Sequence, residues 1–155
     1  MRAVTPGDWA VMRDVRLTAL REAPFAFGSS YAREAQFTEA QWRARITDRA
    51  VTYLAYASAG EPAGLAGVYV EDREAELVSM WVRPSARGQQ VGSALIDAAA
   101  GWARPRGFGQ LWLWVTESNE PARRLYERYG FACTGERQPL PSDPSLAEVR
   151  MRLPL

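Results

Sequence analysis

The feature that most constrains this chain is a strand–turn–helix passage around Arg83–Ile96, RPSARGQQVGSALI. The apolar run Glu76–Val82 reads as a strand. Beyond the turn, Val91, Leu95, Ala98 and Trp102 recur at steps of four, three and four, which is one face of a helix expected from about Gly88 to Ala103. The first N–H groups of such a helix have no intrahelical partner, and its dipole is positive at that end. Glycine there also removes the Cβ that would hold a ligand away from the backbone. Two readings stay open from these residues alone. Arg87, Gly88 and the Gln89–Ser93 backbone wrap a phosphate or pyrophosphate, or they form a tight connection beside a solvated arginine.

Around this passage strands and helices interleave. Asp8–Leu20 has helical spacing, and Thr38 with Gln41 has capping-box form ahead of a second helix carrying Trp42 and Ile46. Val51–Ala57 and Leu65–Val70 read as strands joined by the turn AGEPAG, and the acidic connection EDREAE leads into the Glu76–Val82 strand. A strand at Leu111–Val115, a helix from about Asn119 to Tyr129, and strands near Phe131 and at Val149–Leu153 complete the chain. The pattern predicts a mixed α/β sheet covered by helices. With 155 residues, 47% of them hydrophobic, residues 1–155 are expected to form one domain around one core.

Composition narrows the chemistry. The net charge of +1 provides no global field for nucleic acid, so no nucleic-acid partner is expected. There is no histidine, and Cys133 is the only cysteine. No metal site and no intrachain disulfide are therefore expected, and Cys133 reads as a packing residue. Any base must be a carboxylate, water or the substrate itself. With no signal-like segment and no apolar run of membrane length, a cytoplasmic protein without a membrane partner is the expectation.

The companion segment is NEPARRLYERYGF, Asn119–Phe131. Asn119 suits an N-cap, Pro121 the first turn and Gly130 the helix end, which puts Ala122, Leu125, Tyr126 and Tyr129 on one face. By spacing alone Tyr126 is a half-buried aromatic. By chemistry it is also a phenol that keeps its proton at neutral pH and can act as a general acid.

Together the two segments resemble the GCN5-related N-acetyltransferase (GNAT) superfamily. Its acyl-CoA pattern Arg/Gln-x-x-Gly-x-Gly/Ala is matched by Arg87-Gly88-Gln89-Gln90-Val91-Gly92, followed by SALI. Its second pattern is matched at Asn119, Ala122, Tyr126, Gly130 and Phe131, and the order of elements agrees over essentially the whole chain. One position departs, with Gln90 standing where the family usually has glycine.

The resemblance implies a mostly antiparallel sheet with a splayed parallel strand pair and helices on both faces. It also implies acetyl-CoA as acyl donor without a metal, and a primary amine of a small molecule or peptide as acceptor, with a homodimer compatible. Ser79, Met80, Trp81 and Val82 would pair through their backbone with the pantetheine arm, a main-chain N–H near Val82 would polarise the thioester carbonyl, and Arg87, Gly88, Gln89, Gln90, Val91, Gly92 and Ser93 would hold the pyrophosphate. On this reading a branched side chain at Gly92 would crowd that anion. Asn119 would lie at the mouth of the acyl slot, Ala122 would be among the residues that bind the cofactor, and Tyr126 would protonate the leaving thiolate. Arg123 or Arg124 would reach the ribose phosphate or stay on a solvated helix face. Glu76 is the expected general base or an ordinary edge charge, with Glu34 in reserve. Phe25, Phe27, Tyr31 and Glu34 belong to the acceptor wall, although the aromatics suit a core equally well. The alternative reading is a CoA-binding sensor or partner-binding module without turnover.

Overall fold

The computed structural model describes residues 1–155. In chain order it comprises β1 (Arg2–Ala3), α1 (Trp9–Glu22), α2 (Tyr31–Glu34), α3 (Glu39–Arg43), β2 (Ala50–Tyr56), β3 (Pro62–Glu71), β4 (Glu74–Val82), α4 (Val91–Ala103), β5 (Gln110–Thr116), α5 (Glu120–Tyr129), β6 (Ala132–Leu140) and β7 (Asp143–Pro154). The strands form one sheet in the order β1-β2-β3-β4-β5-β7-β6. All neighbours are antiparallel except β4 and β5, which pair only at Ala75–Leu111 and Glu76–Trp112.

Alternation along the strands divides the side chains between two cores. Leu77, Leu111, Leu113, Val115 and Met151 meet Leu95 and Ile96 of α4 and Tyr126 of α5 on one face. On the other, Leu54, Leu65 and Trp81 meet Val15, Ala19 and Leu20 of α1, with Phe27 from the segment after it.

The structure corrects three expectations. The buried stripe of α4 is Gly92, Leu95, Ile96, Ala99, Ala100 and Ala103, so Val91, Ala98 and Trp102 only flank it. The small residues let the helix approach the sheet closely, while Trp102 stacks on Phe108 with centroids 6.3 Å apart. The second helix ends at Arg43, because Arg45 and Ile46 close three-residue turns onto Trp42 and Arg43 instead of continuing the ladder. The acidic connection shrinks to Asp72 and Arg73, both left-handed at φ 48° and 66°, the backbone of a two-residue hairpin turn. Strand β4 therefore begins at Glu74. The short helix α2 had no periodicity to announce it.

The N-terminal helices are tied by charge as well as apolar contact. Glu34 is 1% exposed and accepts from Arg16 Nε at 3.2 Å and Nη2 at 2.8 Å, and Arg45 Nη1 donates to the same carboxylate. Burial alone would push the Glu34 pKa up. Hydrogen bonds and charge from Arg16, and then from Arg45, outweigh burial and hold it at about 2. A carboxylate so held contributes stability above the ordinary value of 4.5 and loses it as pH falls toward about 2. We expect Glu34→Gln, which leaves Arg16 buried without its counter-charge, to cost about 3–5 kcal/mol at neutral pH. Denaturant unfolding at pH 7 and pH 3 checks this, since the gap between variant and wild type should narrow at the lower pH.

Candidate active site

The sheet opens between β4 and β5, and the sequence of β4 explains how. Opposite Leu65 and Gly67 of β3 stand Trp81 and Val78, so β4 carries one extra residue, a β-bulge. Ser79 takes the left-handed conformation there, φ 59°, and its hydroxyl accepts from Arg16 Nη1 at 3.0 Å. Past the bulge, Arg83 N–H donates to Ala63 O at 2.8 Å. Strict alternation then turns the N–H and C=O of Val82 toward β5. No strand pairs with them there, because the β4–β5 ladder has already ended. The Val82 carbonyl instead accepts from Arg87 Nε at 3.0 Å. Gly64 makes this close approach of β3 feasible, since a Cβ at that position would lie 2.6 Å from Trp81 O.

The unpaired edge of β4 runs into the turn before α4. Between Gly88 and Ser93 no backbone N–H has an acceptor in the protein, and the α4 ladder opens with Ala94 N–H on Gln90 O at 3.0 Å. Gly88 has φ +77° and nothing within 4 Å of where a Cβ would stand. Gln90 occupies the left-handed region at φ 62° with its side chain exposed, so the backbone takes a glycine-like shape despite the substitution. The row of amides, the clear space at Gly88 and the positive helix end fit a diphosphate group.

Two residues of this turn act otherwise than expected. Arg87 does not hold its guanidinium free for an anion, because Nη2 donates to Glu22 Oε2 at 2.9 Å, the same oxygen that accepts from Trp81 Nε1 at 2.8 Å. Gly92 is bare for packing. A Cβ there would lie 2.8 Å from Leu125 Cδ2 and 3.5 Å from Met80 Cε, inside the junction of α4 and α5 and away from the anion. Trp81 likewise sends its indole into the α1 face, which leaves only its backbone beside the opening. Ser93 adds an unpartnered N–H.

Across the opening, α5 follows β5 directly. Asn119 caps it, its Oδ1 accepting from Ala122 N–H at 3.4 Å. Tyr126 is buried with its ring edge-on to Phe131 at 5.5 Å, and its hydroxyl makes no hydrogen bond within the protein. Burial pushes its pKa well above the ordinary phenol value. Arg123 is half-buried and donates to Glu117 O at 3.1 Å, while Arg124 is exposed and paired with Glu120.

On the opposite face of the sheet Glu76 stands between Tyr69 and Trp112, its cross-strand neighbours. Burial raises its pKa. The Arg150 charge opposes this, and the carboxylates Glu148, Glu71 and Glu74 add to it. Glu76 has no salt-bridge partner. Glu148 shares this face, is 8% exposed and accepts from Gln138 Nε2 at 2.6 Å, and burial raises its pKa also. Beside Glu76, between α1, α3 and strands β2–β4, lies a cavity of about 320 Å³ lined by Met12, Arg16, Trp42, Arg45, Tyr69 and Val78 among others.

The expected acceptor wall is only partly here. Phe27 is core beneath Arg16, 4.7 Å from its guanidinium. Tyr31 lies under Arg21, ring centroid 4.3 Å away. Phe25 is exposed, and its carbonyl ties the chain to Thr116 Oγ1 at 2.6 Å. None of the three lines the cavity. Glu34 is no reserve base, since both of its oxygens are held by arginines. The sequence reading missed Arg16, Arg45, Val78 and Glu148. For Glu148 a signal existed, because EVRMRL alternates charged and apolar residues, and its charged set shares a face with Thr116, Trp114 and Trp112.

The acetyltransferase (GNAT) family model matches residues 15–131. Streptothricin acetyltransferase of Streptomyces lavendulae is 40% identical over 86 residues, 54% of this chain and 46% of that protein. Mycothiol acetyltransferase of Salinispora tropica is 33% identical over 142 residues, 85% of this chain and 44% of that one. The chain spans about half the length of the curated relatives it matches. Among solved structures, nourseothricin acetyltransferase is 33% identical over 69% of this chain and 66% of its own, with a TM-score of 0.64. A GCN5-related N-acetyltransferase from Kribbella flavida shares the fold over 99% of this chain and 96% of its own, with a TM-score of 0.73 at 24% identity. Family match, seven-stranded sheet and single splayed parallel pair agree, and the chain belongs to the GNAT acetyltransferase family.

Proposed function

We propose that the protein is an N-acetyltransferase that moves the acetyl group of acetyl-CoA directly to a primary amine. The observation that carries this reading is the unpaired edge of β4 running without interruption into the acceptor-free amides of Gly88–Ser93. Solved family members with acetyl-CoA bound share the fold. When bound, acetyl-CoA supplies an acyl thioester.

The chain's own residues divide the remaining work. The amides of Gly88–Ser93 hold the diphosphate, and the β4 edge at Met80–Val82 holds the pantetheine arm. Val82 N–H is the donor aimed into the opening, positioned to stabilise negative charge on a carbonyl oxygen. Asn119 and Ala122 border the opening at the start of α5. Tyr126 Oη keeps its proton, because burial raises its pKa, and delivers it to a departing thiolate. Glu76, which forms no salt bridge and has its pKa raised by burial, takes a proton from the amine directly or through water.

Thiol release from acetyl-CoA with a panel of amines tests the activity. Tight CoA binding with no release on any amine would assign the sensor or partner-binding module instead. Tyr126→Phe keeps the packed ring, so it should retain the wild-type Tm and CoA affinity while kcat falls about 100-fold, the low end for loss of a general acid. An undiminished kcat would leave Tyr126 as packing. Glu76→Gln should lower turnover at neutral pH and recover part of it at higher pH, where more of the amine is already neutral. Since burial raises the Glu76 pKa, the acid limb of the wild-type kcat/KM profile should lie above the ordinary carboxylate value of 4.5 and be absent in the variant.

A further inference from the structure

The cavity beside Glu76 adds the class of acceptor to the proposed reaction, and this inference rests on that reaction. Its volume of about 320 Å³ suits the body of a small molecule. Met12, Trp42, Leu65 and Val78 give it apolar walls, and no carboxylate lines it. Its only charged side chains are Arg16 and Arg45. Both donate to Glu34, which carries one negative charge against their two positive ones. The cavity therefore holds excess positive charge.

An ammonium carried into it would lose its hydration, find no anion and face two guanidiniums. An apolar group would lose no hydrogen bonds and gain contact with the walls. Its lining includes Tyr69 and Val78, which are the cross-strand neighbour of Glu76 and the next residue on its face of β4. On the other side of Glu76, Glu74 is paired with Arg150 and Glu148 accepts from the neutral Gln138, so the discrimination against a second cation belongs to the cavity itself. We propose that the cavity seats the apolar body of an acceptor whose amine meets Glu76, and that it rejects a second cationic group on that body.

The test compares 2-phenylethylamine, ethylamine and spermidine. For the wild type we expect kcat/KM for 2-phenylethylamine to exceed that for ethylamine by about 100-fold, within the range that an apolar pocket delivers, and spermidine to fall below 2-phenylethylamine. Val78→Phe, which fills the cavity from β4, should collapse the preference for the aromatic amine. Thr47→Glu, which adds a carboxylate to the lining, should raise spermidine relative to 2-phenylethylamine. Turnover that favours spermidine in the wild type, or a preference unmoved by Val78→Phe, would overturn the cavity assignment while the acetyltransferase reading stands. If no amine is acetylated, that reading fails, and calorimetry on CoA-loaded protein then decides the cavity. Binding of 2-phenylethylamine that Val78→Phe abolishes supports the assignment, and absence of binding to the wild type overturns it.

Discussion

A seven-stranded sheet joined at its middle by only two paired positions depends on whatever holds its halves together from outside the ladder. Here β4 and β5 meet at Ala75–Leu111 and Glu76–Trp112 and then diverge. The apolar core beneath them, with Leu95 and Ile96 of α4 packed among Leu77, Leu111, Leu113 and Met151, spans both halves. On the other face Thr116 Oγ1 on Phe25 O is one of the ties between β5 and the N-terminal region. Burial of apolar area is non-directional, so it can clamp two strands while leaving their facing backbone groups without partners. Unpaired backbone is costly when it is also kept from water. An open edge at the centre of a sheet is thus tolerable where solvent or a ligand with its own amides reaches it.

The shape of that edge depends on one residue in an uncommon conformation. Ser79 sits at φ 59° in the bulge of β4, held by Arg16, which is held in turn by Glu34 and indirectly by Arg45. The charges are arranged for position more than for stability, since a buried ion pair gives back most of its attraction as desolvation. The network links α1, the end of α2 and the turn after α3 to the point where β4 changes register. A second tie acts at the far end of α1, where Glu22 accepts from both Trp81 and Arg87 and so joins the helix to β4 and to the turn before α4.

Much of this architecture was legible in the sequence because local chemistry and tertiary demand agree. The Thr38–Gln41 capping box, the Asn119 cap, the Gly130 stop and the amphipathic face of α5 all stand where spacing placed them. The acceptor-free amides also lie where the RGQQVG turn put them. Side-chain partners far apart in sequence were not legible. Arg87 reads as an anion ligand until Glu22, 65 residues earlier, is found beside it. Glu34 reads as a free carboxylate until Arg16 and Arg45 close on it. Gly92 reads as ligand space until Leu125 fills that space. The α4 stripe was misplaced for a related reason, because alanines that matter through their smallness leave a weak hydrophobic period.

The placement of Tyr126 and Glu76 bears on how the proposed transfer would both remove and supply a proton near neutral pH. Tyr126 lies on the α4–α5 face of the sheet and Glu76 on the face of the N-terminal helices. Burial raises both pKa values, but the consequences differ. For a phenol the shift carries it further from ionisation, so it remains a donor throughout the physiological range. For a carboxylate the shift carries it toward the working pH, so its conjugate base becomes stronger. On the proposed chemistry the amine approaches from one face and the thiolate departs on the other, and the gap between β4 and β5 connects them. On that proposal, the gap that weakens the ladder is also what lets acid and base act in one transfer.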